Sequence, residues 1–315
     1  MEIYRGLDEV PTGYGPSAVT IGKFDGVHTG HRMIIDTVLA QARDRGIASV
    51  AVTFDRNPLA LLAPDRCPAS LVSLEQKLEL LASTGLDATV VLAFDEHMAA
   101  MPADTFVQEV LVDALAAKVV LVGPNFRFGA RGAGDGDLLQ ELGADSGFDA
   151  IVAPIQEAGG DPISSSRIRE LLDAGDVSGA TRLLGREPLV HGIVVHGLKR
   201  GRELGYPTAN LAADADGFAP GDGVYAGWLT DHSAPGTPRY PAAISVGTNP
   251  TFTDVLRKQI EAHVLDRTLD LYGHSVDVTF VSHIRGMVAY DGVGPLIAQM
   301  GRDVGDARAI LSSVG

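Results

Sequence analysis

Two histidines stand three residues apart in the stretch GKFDGVHTGH, residues 22–31, with glycines around and between them. If a helix begins near His28, His28 and His31 fall one turn apart on the same face. Both imidazoles can then donate to phosphate oxygens and offset charge that develops in a transition state. Gly30 leaves no side chain where a phosphate would approach the backbone. The unpaired N–H groups of a helix start, with its dipole, favour an anion at the same place. A zinc site would need a third ligand, and the chain has one cysteine, Cys67, and no HExxH. Two incidental surface histidines would show the same spacing. The glycine context and the position after a strand favour the anion site.

Other stretches have chemical potential of their own. ISSSRIR (163–169) offers the hydroxyls of Ser164, Ser165 and Ser166 at a helix start and a fixed charge at Arg167. A plain serine cap would read the same way. In VGPNFRFGARGAGD (122–135), Asn125 could bond a phosphate, and Phe126 and Phe128 could stack on a planar ring. Equally, one phenylalanine could be core and the other a loop anchor. HGLKRGRELGYPTANL (196–211) mixes glycine with Lys and Arg, which suits a di- or triphosphate, although GYPTAN alone reads as a turn. In QIEAHVLD (259–266), Ile260, Ala262 and Val264 share one strand face while Glu261 and His263 share the other.

The elements that must position these groups follow from periodicity. Apolar β-rich runs at 18–22, 48–54, 88–94 and 118–123 alternate with helical patterns at 31–46, 73–85 and 105–116. That order predicts a parallel sheet with right-handed crossovers, whose ligands sit beyond the carboxyl ends of the strands. GKFDGVHTGH begins where the first of these strands ends. A helical stretch over 163–185 follows. Beyond Pro188 the pattern changes to short strands separated by Gly, Pro, Asn and Asp, which predicts an antiparallel barrel or sandwich. An amphipathic helix runs from Val293 to Leu311. The boundary between the two patterns falls near residues 185–190.

Composition narrows the classes further. The chain has 315 residues, 45% apolar and 21% charged, which favours two soluble domains over one core. A net charge of −15 argues against a nucleic-acid partner, which needs a basic footprint. The start, MEIYRGLDEV, lacks the pattern of a signal peptide, and the apolar stretches are broken by charge. These features predict a cytoplasmic protein without a membrane partner; they leave homo-oligomerisation open.

HTGH resembles the HxGH signature of the nucleotidyltransferases, and ISSSRIR resembles their ISSTxIR motif, with Ser166 in place of threonine. TIGKFDGVHTGH, TFDRNP (53–58) and VGPNFRFG resemble segments of the bacterial bifunctional riboflavin kinase/FMN adenylyltransferases. Lys23 stands where asparagine is common. HGLKRGRELGYPTANL resembles the family's GxxRGRxLGxPTAN signature, and Arg267 stands where an apolar residue is usual. The resemblance spans the chain. It implies a Rossmann-like parallel-sheet adenylyltransferase domain over 1–186, then a riboflavin kinase β-barrel with a terminal helix over 187–315. The implied chemistry converts riboflavin to FMN and FMN to FAD, with ATP as donor and Mg²⁺ at both sites. Gly22, Lys23, Phe24, Gly26, His28, Gly30, His31, Ser164, Ser165, Ser166 and Arg167 would hold ATP in the first domain. Of these, His28, His31, Ser164 and Arg167 would be catalytic. Asp55, Asn57, Asn125, Phe126 and Phe128 would hold FMN. Gly197, Lys199, Arg200, Gly201, Gly205, Pro207, Thr208 and Asn210 would hold ATP and flavin in the kinase, with Thr208 and Asn210 on the metal. Glu261 would be the general base. A nucleotidyltransferase with another acceptor, or a flavin sensor with inactive sites, would be the rival readings.

Overall fold

Four strands with continuous apolar runs can be buried only between two layers of helices. The computed structural model, which describes residues 1–155, 157–158, 161–197, 204–248 and 258–314, shows them arranged so. Strands β1 (Glu2–Tyr4), β2 (Ser17–Ile21), β3 (Ala48–Phe54), β4 (Ala88–Leu92), β5 (Ala117–Val122) and β6 (Asp149–Val152) form one sheet in the order β1-β4-β3-β2-β5-β6. All five pairings are parallel. One face packs Val19, Val50, Val90 and Val120 into a core with Phe106 and Leu111. The other packs Ala18, Ala51, Val119 and Leu121 against Ile35, Val38 and Ala42 of helix α1 (Thr29–Arg45). Those helix positions lie on one stripe, as the spacing predicts.

The sheet is wider than the sequence pattern predicts. Edge strands β1 and β6 were not expected; three or four residues leave no measurable alternation. The predicted helix over 73–85 is α2 (Leu74–Ala82), opened by a capping box between Ser73 and Gln76. The predicted helix over 105–116 begins as an α-turn (Ala103–Phe106) and continues as a π-helix over Val107–Ala114. The single helical stretch expected over 163–185 is two helices, α3 (Ser165–Asp173) and α4 (Val177–Leu184). The break falls at Gly175, where φ is +78°, and Asp176 caps the second helix by accepting from the Gly179 N–H.

The chain divides into two compact units at Ser164/Ser165. The change in sequence pattern falls some twenty residues later, because α3 and α4 keep a helical rhythm while their contacts belong to the second unit. There Gly221 N–H donates to Leu172 O, and Ser178 Oγ donates to Val281 O.

The second unit contains a closed antiparallel barrel: β7 (Leu189–Val195), β8 (Ala209–Leu211), β9 (Gly223–Asp231), β10 (Arg239–Thr248), β11 (Lys258–Val264) and β12 (Ser275–Arg285). Their order is β8-β11-β10-β9-β12-β7, with β7 pairing back to β8. Closure therefore rests on a three-residue strand within the GYPTAN stretch. Inward residues such as Tyr225, Ile244, Ile260, Ala262 and Phe280 are buried, as period-two alternation requires. Helix α5 (Val293–Ser312) covers the barrel through Ala307 and Leu311, packed with Ala226, Ala243 and Leu265. Asp303, 5% exposed, fixes the helix by receiving both Arg285 Nε (2.8 Å) and Nη2 (2.7 Å) from β12.

Removing one partner of such a pair strands a buried charge. Arg285→Met should therefore cost about 3 kcal/mol, read as a lower urea midpoint for the barrel; a change within about 0.5 kcal/mol would show that Gln299, whose Nε2 also donates to Asp303 Oδ1 at 2.8 Å, alone satisfies Asp303.

Candidate active sites

The first site begins where β2 ends. Between Gly22 and the start of α1, Phe24 (φ +48°), Gly26 (φ +81°) and Val27 (φ +39°) are all left-handed. A β-branched residue in that region is strained, and such strain persists only where packing enforces it. Val27 is fully buried, its N–H donates to Phe24 O (3.1 Å), and Asp25 Oδ1 accepts from Leu71 N–H (2.8 Å). The turn delivers His28 as the cap of α1. Its Nδ1 accepts from the His31 N–H at 3.3 Å, so the ring proton belongs on Nε2.

His28 and His31 stack at 3.6 Å between ring centroids, and Phe24 meets His31 edge-on at 5.2 Å. His28 is 6% exposed and His31 is half-buried. Burial, with His28 and Lys23 adding to it, pushes the His31 pKa well below its ordinary value. His31 is therefore neutral at physiological pH. A side chain at Gly30 would press on the His28 ring and on Ile163, both 3.3 Å from an added Cβ. Ile163 thus brings the start of ISSSRIR beside the HTGH turn. Ser164 ends the first unit, while Ser165, Ser166 and Arg167 open α3 in the second. Arg167 is paired with Glu170 at 3.1 Å.

Beyond the ends of β2 and β3 lies a cleft lined by Lys23, Asp25, Asp55, Arg56, Asn57, Ser73 and Lys77. Lys23 is exposed at its rim. Asp55 accepts from the Phe94 N–H (2.9 Å) and pairs with Arg56. Burial would raise its pKa, but those two partners outweigh it and the net shift is downward. Asn57 caps the next turn by accepting from the Leu59 N–H. Asn125 is exposed, whereas Phe128 belongs to the core, 7% exposed and stacked on Phe126 at 5.3 Å. The ring of Phe128 therefore packs inside the fold, and Phe126 anchors its loop on it.

Lys77 was not anticipated. It is 8% exposed, and Nζ donates to Phe54 O (2.8 Å), Thr53 Oγ1 (3.2 Å) and Lys23 O (3.4 Å). All three donors are used, so the ammonium clamps the ends of β2 and β3 together. Its signal was readable: Leu78 and Leu81 are the buried leucines of α2, with Leu74 half-buried one turn earlier, and Lys77 sits on that stripe. Burial pulls its pKa down from 10.5 to about 8, against the opposing pull of Asp25 and Asp55.

The second site is built on β8 and β11, whose register sets Asn210 opposite Glu261. Thr208 Oγ1 donates to Glu261 Oε2 (3.2 Å) and accepts from Asn210 Nδ2 (3.1 Å). Gln259 Nε2 bridges Asn210 Oδ1 (3.2 Å) and Glu261 Oε1 (3.0 Å). Gln259 was missed, although it shares the Glu261 face by simple alternation. Burial raises the Glu261 pKa, only partly offset by the Thr208 hydrogen bond. A side chain at Gly197 would collide with the Asn210 amide, which keeps this end of β7 open. Gly205 is left-handed (φ +89°), and Pro207 O bonds His263 Nδ1 at 2.8 Å. Beside Thr208 a cleft is lined by Val194, Pro207, Ala262, Leu271, Tyr272 and Arg267. The Arg267 guanidinium also lies 5.6 Å from the Tyr240 ring. Lys199, Arg200 and Gly201 lie outside the described residues.

The Lys77 clamp has a pH signature. Its folded pKa lies below its unfolded one, so the unfolded chain holds more protons between pH 8 and 10.5, and stability rises with pH there. Relative to Lys77→Met, the wild type should gain about 3 kcal/mol over that window in denaturant titrations. A flat difference would mean that the lysine is not held near 8.

The comparisons match this two-site division. Residues 12–167 match the FAD synthetase family model and residues 184–311 the riboflavin kinase model. The bifunctional riboflavin kinase/FMN adenylyltransferase of Escherichia coli K12 is 37% identical over 98% of this chain and 97% of its own. Enzymes of the same name from Pseudomonas fluorescens and Listeria monocytogenes are 34% and 33% identical, covering 98% and 94% of this chain and 98% and 93% of their own. A Streptococcus pneumoniae crystal structure described as a macrolide-efflux protein superposes with a TM-score of 0.84 at 29% identity, over 97% of this chain and 98% of that one. Among the described residues no helix is long and apolar enough to cross a membrane. With both family models matched in order and relatives aligned end to end, the chain belongs to the bifunctional riboflavin kinase/FMN adenylyltransferase family.

Proposed function

We propose that the protein makes FAD in two ATP-dependent steps at separate sites. Residues 187–315 phosphorylate riboflavin to FMN, and residues 1–186 join FMN to the AMP moiety of a second ATP, releasing pyrophosphate. The observation that carries the reading is the pairing of an HTGH helix cap in one unit with a Thr208–Asn210–Glu261 cluster in the other.

In the kinase step, Glu261 accepts the proton of the terminal ribityl hydroxyl as that oxygen attacks the γ-phosphorus of ATP, and ADP departs. The buried carboxylate is a stronger base than a solvated one, since its pKa is raised. Gln259 and Thr208 hold its two oxygens, which fixes its direction. The Thr208 hydroxyl, the Asn210 carbonyl oxygen and the Glu261 carboxylate make an all-oxygen set of the kind that suits Mg²⁺. Mg²⁺ bound at Thr208 and Asn210 would offset phosphate charge.

In the adenylyl step, the FMN phosphate attacks the α-phosphorus and pyrophosphate leaves, with no covalent protein intermediate. The Nε2–H of His28 and the remaining N–H of His31 donate to phosphate oxygens, while Ser164 and Arg167 hold the departing end. A neutral His31 suffices, because its role is to bond developing charge rather than to transfer a proton. Lys23, Gly22 and Gly26 form the rim and backbone of the ATP site, with Phe24 supporting it from behind. The cleft at Asp55 and Asn57 takes FMN, with Asn125 and Phe126 as further contacts that the family resemblance implies.

Incubation with riboflavin, ATP and Mg²⁺, with the flavins separated over time, should yield FMN and then FAD. Binding of flavin and ATP with neither product would support a sensor instead. Glu261→Gln should lower FMN formation by about 10²–10⁴-fold and leave FAD formation from supplied FMN intact. His28→Ala should lower FAD formation by about 10²–10³-fold and spare the kinase. Loss of both activities in either variant would contradict two independent sites. The kinase kcat/KM should fall on the acid side at a pH above the ordinary glutamate range, because protonated Glu261 cannot accept the ribityl proton.

A further inference from the structure

On the outer face of the barrel, three strands bring two imidazoles onto one carboxylate. Register sets Asp277 of β12 directly opposite His191 of β7, and both residues alternate outward from buried neighbours. Asp277 Oδ1 lies 2.7 Å from His191 Nδ1, and its Oδ2 lies 2.8 Å from His232 Nε2, just past the end of β9. The three candidate ligand atoms all fall within 4.8 Å of one another. Neither the adenylyl step nor the kinase step uses them. Thr230, the ladder partner of Asp277, lies six residues along β9 from Val224, whose partner Ser245 pairs with Glu261. The route through β7, from His191 four residues on to Val195, whose partner Asn210 pairs with Glu261, still leaves about 13 Å along the strands.

The surroundings hold these groups in place. Ser275 touches both histidines: its hydroxyl bonds the His191 ring at Nε2 (3.2 Å), and its carbonyl accepts the backbone N–H of His232 (2.9 Å). The backbone of His191 is fixed by two reciprocal hydrogen bonds with Asp216. The turn that presents His232 is tied by Asp231, which is 2% exposed; its carboxylate accepts from the Ser233 N–H (2.9 Å) and bonds His274 Nδ1 (3.0 Å). His191 thus has, through Ser275, the bond from the non-ligating ring nitrogen that usually supports a metal-binding histidine, while His232 is held through its backbone.

We propose that His191, His232 and Asp277 form a site for a divalent transition-metal ion of the zinc class. Two imidazoles and a carboxylate suit that class, whereas Mg²⁺ and Ca²⁺ prefer all-oxygen sets. A tetrahedral ion needs ligand atoms about 3.3–3.5 Å apart, so a small turn of the Asp277 carboxylate opens a place for it between the rings. Each imidazole takes the ion in its neutral form, with its ring proton on the nitrogen that does not ligate; for His191 that nitrogen meets the Ser275 hydroxyl. His191 and His232 side chains are 37% and 40% exposed, which leaves the fourth position to water. Once bound, the ion links β7, β12 and the end of β9.

The test is a titration of the full chain with Zn²⁺ alone, by calorimetry, beside His232→Ala and Asp277→Asn. The wild type should bind one more equivalent than either variant, and Ser275→Ala should weaken that equivalent by about 10–100-fold. Co²⁺ should give the wild type a tetrahedral visible absorption that both variants lack. FMN and FAD formation by the variants should match the wild type, which also establishes that they fold. Equal stoichiometry and affinity in wild type and both folded variants would overturn the site and leave a hydrogen-bonded His–Asp–His cluster only. Metal bound elsewhere on the chain would appear equally in all three and cancels in the comparison.

Discussion

Backbone groups at the ends of strands need partners, and in this chain the side chains that supply them also shape both sites. Where β2 and β3 end, the Lys77 ammonium takes up Phe54 O and Lys23 O, and Asp55 takes up the Phe94 N–H. Where β8 begins, Asn210 bonds back to Thr208 O. An orphaned buried carbonyl or N–H costs a few kcal/mol, so these polar residues cannot be exchanged for apolar ones of like size. Asp55 and Lys77 also line the cleft beyond the ends of β2 and β3, and Thr208 lines the one beside β8.

The two units solve the problem of placing a polar cluster by different means. The parallel sheet opens at its carboxyl end, and the strained turn from Phe24 to Val27 aims the start of α1 at that opening. The barrel has no open end of that sort. Its polar cluster exists because β8 is short: three residues close the ladder, and the chain on either side is left to carry Pro207, Thr208 and the glycine loop. Charge is economical in both. His31 is kept neutral by burial, and Glu261 is kept basic by burial and aimed by two directed hydrogen bonds.

Local signals carried far in this sequence. The HTGH spacing placed the two histidines on one turn, and the alternation in QIEAHVLD placed Glu261 opposite the apolar face; both are consequences of fixed periods, 3.6 and 2. The four central strands were legible because each is a run of apolar residues. The two edge strands, the break at Gly175 and the strand in GYPTAN were not, because each is too short for a period to show. Phe126 and Phe128 are two residues apart in a loop, and nothing local told which of them the core would take.

What the sequence determined by itself was the order of elements, the change from parallel to antiparallel architecture and the residue types brought to each site. Tertiary structure alone decided which atoms meet. Lys77 reads as one polar residue on a helix until β2 and β3 end against it, and Gln259 reads as surface until Asn210 comes opposite. His191, His232 and Asp277 are separated by 41 and 45 residues in the chain, and only the pairing of β12 with both β7 and β9 makes them neighbours. The reason is physical: periodicity fixes a side chain's direction relative to its own element, whereas register and closure fix its partner, and those depend on contacts far apart in the chain.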